Sequence, residues 1–266
     1  MARRLLNVLG DFARFLIDAP VTTDVDEENG VRTLRFNGGV AQSAMRVDAP
    51  FDLALSYTET MMGFLLFNAS PRHILVVGLG GGSLSKYCYR HFPQAHITTL
   101  EINPDVIALR DEFLIPPDNE RFRIVHTDAA ACLARRDLQA DVILLDGYDA
   151  RGLPEGLSSE SFYADCWQVL TAQGVLVANL WGGDGGGELY LDRLRGVFDD
   201  RVWWSPAAGS TNLVAFAVKS ARRSPQWARI PQKAQALGKR YRLDLPHVAR
   251  NMRWRQNPDD LSLPGE

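Results

Sequence analysis

Near the start of the chain, Leu5, Leu6, Leu9, Phe12, Phe15 and Leu16 recur at helical spacing, which predicts a short amphipathic helix within residues 1–20. The period then shortens. Val31 to Phe36 lies between two hairpin-turn signals, Glu28-Asn29-Gly30 and Asn37-Gly38-Gly39, so residues 21–50 predict a small β-hairpin unit. Leu53 to Phe67, rich in methionine and aromatic side chains, predicts an apolar helix of the core. Beyond it, short apolar runs alternate with helical stretches. Strands are expected at Ile74–Val77, Ile97–Leu100, Arg121–His126, Asp141–Leu145 and Val175–Leu180. Helices are expected through Leu84–His91, Val106–Leu109, around Cys132 and around Phe162–Leu170. A glycine-rich loop at 182–187, a helix over Leu189–Phe198 and two last strands, Val202–Ser205 and Leu213–Val218, complete the pattern. Apolar strands alternating with helices specify an α/β domain with a largely parallel sheet, here residues 51–220, followed by a helical tail at 221–266.

The stretch from His73 to Glu101 carries the first chemistry. A strand runs into glycines at Gly78, Gly80, Gly81 and Gly82, a helix follows, and the next strand ends on Glu101. Glycines let backbone N–H groups come close to a ligand, and the helix aims its positive end at the same place. A carboxylate about twenty residues further on can accept both hydroxyls of a ribose. The pattern predicts a nucleoside pocket, with NAD and S-adenosylmethionine (SAM) as the two candidate ligands.

Two further strands also finish on acids, Asp128 and Asp146. Ligands of open parallel sheets sit beyond the carboxyl ends of the strands, so all three acids are expected at one crevice. The assignment is Glu101 to the ribose, Asp128 to the adenine amino group and Asp146 near the reacting end. Either aspartate alone would also serve as a helix cap. A closing pair of strands after the fifth, in place of another βαβ unit, favours a sulfonium nucleoside over NAD.

Composition narrows the class. The 266 residues are 46% hydrophobic and 23% charged with a net charge of −3, enough for one large core. No run of 18 apolar residues appears, and Asp11, Arg14 and Asp18 interrupt the first segment, so neither a membrane span nor a secretory leader is expected. Cys88, Cys132 and Cys166 are far apart and read as reduced, mostly buried thiols of a cytoplasmic protein. No histidine or cysteine spacing suggests a metal. Charge is segregated: Lys219 to Arg255 holds eleven Lys or Arg against one acid, Asp244, with Trp227, Tyr241 and Trp254 interleaved. Packing of this tail across the acidic remainder is favoured, and a patch for RNA or an acidic protein is the alternative.

Residues 31–181 resemble the spermidine synthase family, the polyamine aminopropyltransferases, which share the class I SAM-dependent methyltransferase fold. The resemblance rests on the hairpins, the turn after Val77, EINPDV at 101–106, HTDAAACL at 126–133, and DGYD followed by SSESFYADC at 158–166. It implies a Rossmann-like seven-stranded sheet, Glu101 at the ribose, Asp128 with Ala129 at the adenine, and Ile102 among the residues that bind the nucleoside. It further implies that Asp146 orients or deprotonates the attacking amine and that Asp149 helps to bind a polyamine. Tyr57 is a further catalytic candidate, and Gln42, Glu59 and Tyr148 are candidates for holding the acceptor. The turn departs from the family's GGGDGG: GLGGGS at 78–83 places Gly81 where the family has an aspartate. That aspartate holds the cationic amine of decarboxylated SAM, and its loss makes room for the carboxylate of SAM. GLGGGSL itself resembles the spermidine-synthase-like methyltransferases. Methyl transfer from SAM to an amine or protein acceptor is therefore the first expectation. Aminopropyl transfer from decarboxylated SAM, with methylthioadenosine as product, is the second. A silent nucleoside-binding protein is the third. No metal is expected, and a homodimer is.

Overall fold

The computed structural model describes residues 22–37, 39, 41–148, 152–181, 187–220 and 227–254. The helix expected within residues 1–20 and the candidate Asp149 lie outside these. The chain begins with a three-stranded antiparallel sheet, β1 (Thr23–Glu28), β2 (Val31–Phe36) and β3 (Ala41–Arg46). Asn29 and Gly30, with φ of 52° and 75°, make the left-handed two-residue turn that an Asn-Gly pair favours. The apolar helix expected over residues 53–67 forms as α1 (Ser56–Met61) and then tightens into a 3₁₀ segment, Met62–Leu66. Thr58 and Thr60 bond back to the carbonyls of Leu55 and Ser56, and Gly63 lies against the Phe216 ring, so a regular α-helix does not continue.

The main domain runs β4 (His73–Val77), α2 (Ser83–His91), β5 (His96–Glu101), α3 (Pro104–Ala108), β6 (Phe122–His126), α4 (Ala129–Ala134) and β7 (Ala140–Leu145). It continues with α5 (Glu155–Ser158), α6 (Glu160–Val169), β8 (Leu170–Trp181), α7 (Gly187–Phe198), β9 (Val202–Pro206) and β10 (Asn212–Val218). The tail adds α8 (Ile230–Tyr241), α9 (Leu245–Asn251) and β11 (Arg253–Trp254). One sheet takes all eight later strands in the order β11-β9-β10-β8-β7-β4-β5-β6. The expected seven strands are thus joined by an eighth from the tail, pairing Arg253 with Trp204 and Trp254 with Trp203. Strand β8 also begins earlier than expected. Leu170 pairs with Ala140 and Val175 with Val142, so the Gln173-Gly174 turn is an irregularity inside one strand.

Strands β4 to β8 are parallel, and the central β4, β7 and second half of β8 are buried on both faces, which is why they read as apolar runs, while β6 forms the more exposed edge. Alternate side chains enter two cores. Ile74, Val76, Val142 and Leu144 join the face covered by α2, the 3₁₀ segment and the tail. Leu75, Val77, Ile143 and Leu145 join the face covered by α4, α6 and α7. The three cysteines are buried and unpaired, and burial raises the thiol pKa of Cys88 and Cys166. Among the described residues, no helix is long and apolar enough to cross a membrane. The chain order reverses at β4, whose neighbours are β5 and β7, and this is where an open α/β sheet forms its ligand crevice.

Candidate active site

Three strand ends and one turn build the crevice. Beyond β4, Gly78 takes φ +94°, and a Cβ there would lie 2.3 Å from the carbonyl oxygen of Asp146. Only glycine allows the ends of β4 and β7 to approach so closely. The N–H of Asp146 donates to the Val77 carbonyl at 2.9 Å, fixing the first residue after β7 beside the turn. Helix α2 starts from Gly82 in the left-handed region, with no side chain capping its first turn. Its leading N–H groups therefore face the crevice side of the turn without a side-chain acceptor.

Glu101 is buried, 8% exposed, at the end of β5. Its Oε2 accepts the Leu79 N–H at 2.8 Å, and its Oε1 accepts the Asn103 N–H at 2.8 Å. The acid thus clamps the glycine turn to the loop after β5. Ile102, next in the chain, is 64% exposed, more than any other large apolar side chain among the described residues. Asp128 follows β6 and is exposed. Its Oδ1 accepts the Ala130 N–H at 2.8 Å, so it does cap α4, while the neighbouring Ala129 is buried. Capping uses one oxygen of the carboxylate.

Asp146 is held from two sides. Tyr57, on α1, donates its hydroxyl to Oδ2 at 3.1 Å, and Asn179, on β8, donates its side-chain amide to Oδ1 at 2.8 Å. Burial raises the Asp146 pKa, against the lowering effect of the Asn179 and Tyr57 hydrogen bonds. The Tyr57 hydroxyl is pushed well above its ordinary value, first by burial and then by the Asp146 charge, so it stays a donor. Tyr148 donates its hydroxyl to the Asn179 carbonyl at 2.8 Å.

The remaining candidates are placed differently. Glu59 is two residues from Tyr57 on α1, which turns it to the far side of that helix. Its carboxyl pKa is raised by burial and then by the charge of Asp244 at the start of α9. Gln42 is half-buried on β3, next to Ser43, whose hydroxyl borders the turn. A Cβ on Gly81 would lie 2.6 Å from the Phe113 ring and 2.9 Å from the Ser43 hydroxyl, although its φ is not left-handed. One turn into α2, Lys86 is wholly buried and donates to the Phe113 carbonyl at 2.6 Å and to the Met45 sulfur at 3.0 Å. Burial lowers its pKa to about 8. Asn179, Phe113 and Lys86 were not anticipated. An asparagine inside the apolar run VLVANL and a lysine inside a buried helix face were the available signals.

Sheet order and crevice define a Rossmann-like domain of the methyltransferase type. Human methyltransferase-like protein 13, solved in complex with SAH, superposes with a TM-score of 0.66 at 24% identity, over 71% of this chain and 93% of that one. A spermidine synthase in complex with the transition state analogue AdoDATO superposes with a TM-score of 0.69 at 22% identity, over 88% of this chain and 82% of that one. In sequence, the spermine/spermidine synthase domain matches residues 54–180. A polyamine aminopropyltransferase of Chromobacterium violaceum is 37% identical over 86% of this chain and 88% of its own length. The chain belongs to the spermine/spermidine synthase family and is a transferase.

Proposed function

We propose that the protein transfers an aminopropyl group from decarboxylated SAM to a small amine of the polyamine class. This reverses the order of expectation drawn from the turn, where methyl transfer came first. Support comes from the name of the Chromobacterium violaceum relative and from the likeness to spermidine synthase. The observation that carries the reading is the Asp146 carboxylate, held at the reversal point of the sheet by Tyr57 and Asn179. The donor supplies a sulfonium-activated carbon, and an amine must lose a proton as it bonds there. Asp146 accepts that proton and aims the amine, while Tyr57 and Asn179 fix its two oxygens. Glu101 receives the ribose hydroxyls, Asp128 and Ala129 the adenine edge, and Ile102 a face of the base. Asp149 is assigned to a distal ammonium of the acceptor.

A second reading, methyl transfer from SAM, is favoured by the surroundings of Gly81. Among the described residues, the groups nearest a Cβ at Gly81 are the Phe113 ring and the Ser43 hydroxyl, neither of them an acid, and the buried Lys86 follows one turn into α2. Supplying the purified protein with putrescine and either donor separates the two. Methylthioadenosine released from decarboxylated SAM is the expected product. S-adenosylhomocysteine from SAM, with no methylthioadenosine from the other donor, would overturn the first reading in favour of the second.

A further inference from the structure

The contact between Asn179 and Asp146 works in one sense only. Half a turn of the Asn179 amide would set its carbonyl against the carboxylate, acceptor against acceptor. The observed sense is backed from the neighbouring strand. The Nδ2 of Asn212, at the start of β10, donates to the Asn179 Oδ1 at 2.9 Å. The Asn212 Oδ1 takes the hydroxyl hydrogen of Ser210, whose oxygen in turn accepts the Asn212 backbone N–H at 3.1 Å. A backbone N–H can only donate. Ser210 accepts there with one lone pair, and its own hydrogen goes to the Asn212 carbonyl. Asn212 is left presenting its amino group to Asn179, and Asn179 its amino group to Asp146. The ionised Asp146 accepts at one end of the relay and the Ser210 hydroxyl donates at the other, so the oxygen and the amino group of each amide are both matched. Strands β8 and β10 are antiparallel, with Val214 paired to Asn179 and Asn212 to Trp181, which sets the two amides side by side. Asn179 is 3% exposed, so water does not compete for it.

We propose that Asn212 is a positioning residue for the transfer reaction: through Asn179 it keeps a donor on Asp146 and so holds that carboxylate ionised and aimed. The inference rests on the reading of Asp146 as the proton acceptor. Among the described residues, the other groups facing Asp146 and Asn179 are the hydroxyls of Tyr57 and Tyr148, both donors.

The test measures kcat and kcat/KM against pH for wild type, Asn212→Ala, Asn212→Asp and Asp146→Asn, using decarboxylated SAM and putrescine. Calorimetry with methylthioadenosine accompanies it. Asn212→Asp offers Asn179 only acceptors, so the amide turns and its carbonyl meets Asp146. The acid limb of kcat/KM should then move upward by about one pH unit and kcat at neutral pH fall about tenfold. Asn212→Ala, which adds no charge, should move the limb the same way by a smaller amount. Nucleoside affinity should stay within about twofold in both, since neither Asn212 nor Asn179 is assigned to the ribose or the adenine. A residue that merely supports the fold would alter stability or affinity and leave the limb in place. If Asp146→Asn is inactive while the folded Asn212 variants keep the wild-type limb and turnover, the positioning role is wrong and the proton-acceptor reading stands. Full turnover in Asp146→Asn would overturn both.

Discussion

In the proposed reading, Glu101 has two tasks that a single substitution cannot separate. Its oxygens already hold two main-chain N–H groups, one of them on the buried Leu79 of the turn. Glu101→Ala therefore removes an acceptor from the nucleoside and leaves the Leu79 N–H without its partner. Loss of a charge-assisted hydrogen bond should weaken methylthioadenosine binding by about 1.5–3 kcal/mol, and the orphaned N–H should cost about 1–3 kcal/mol of stability. Calorimetry and denaturant unfolding read the two effects separately, and unchanged affinity in a folded variant would contradict the ribose assignment. Asp128 shows the same economy of residues: the cap of α4 and the adenine assignment share one carboxylate, since capping engages only Oδ1.

At the level of elements, the glycine turn and α2 are built against β3 and the Phe113 loop. Gly81 needs no left-handed φ, yet a methyl group there would press on the Phe113 ring. Gly81→Ala should lower stability by about 1–3 kcal/mol through overpacking, and adding Phe113→Leu should recover part of that loss. The same steric limit means that an aspartate cannot simply be restored at this position without relief at Phe113. Lys86 gives a pH signature to the docking of β3 on α2. Its folded pKa is about 8 against an ordinary 10.5, so the unfolded chain holds the extra proton between those values. Its contribution to stability then rises with pH across that window, by roughly 3 kcal/mol in all. The stability difference between wild type and Lys86→Met should grow in favour of wild type from pH 8 upward, and a pH-independent difference would refute it. Most of the order of strands and helices from Ile74 to Val218 was legible because β4, β7 and the second half of β8 are apolar runs between turn residues. Strand β11 was not legible, because two residues, Arg253 and Trp254, carry no alternation to read. The acids at the strand ends were legible from their spacing. Asn212 was not, since an asparagine in a Ser-Thr-Asn stretch reads as an ordinary turn and its partner lies on another strand.

Across the whole molecule, the basic tail is a strap over one face of the sheet. Ile230, Ala234, Tyr241, Leu245 and Val248 are buried in the same core as Ile74 and Val76. Lys239, Arg240, Arg242 and Arg250 stay exposed while Tyr241 packs on Phe92, with ring centroids 5.2 Å apart, and its carbonyl receives the Tyr87 hydroxyl. Tyr241→Ala should cost about 3–5 kcal/mol, the usual loss for a buried aromatic, measured by chemical unfolding. A loss below about 1 kcal/mol would mean that the strap is a loose appendage. The strap also imposes an order on synthesis. Lys233 reaches the Leu66 carbonyl across 167 positions of sequence, and Tyr87 reaches Tyr241 across 154. Tyr57 and the glycine turn leave the ribosome long before the segment that covers the elements carrying them. For that interval the nascent chain displays the apolar backs of α2 and of the 3₁₀ segment, a surface that chaperones bind and that aggregation exploits. A finished crevice therefore waits for the strap, although Tyr57 and the glycine turn are made well before it.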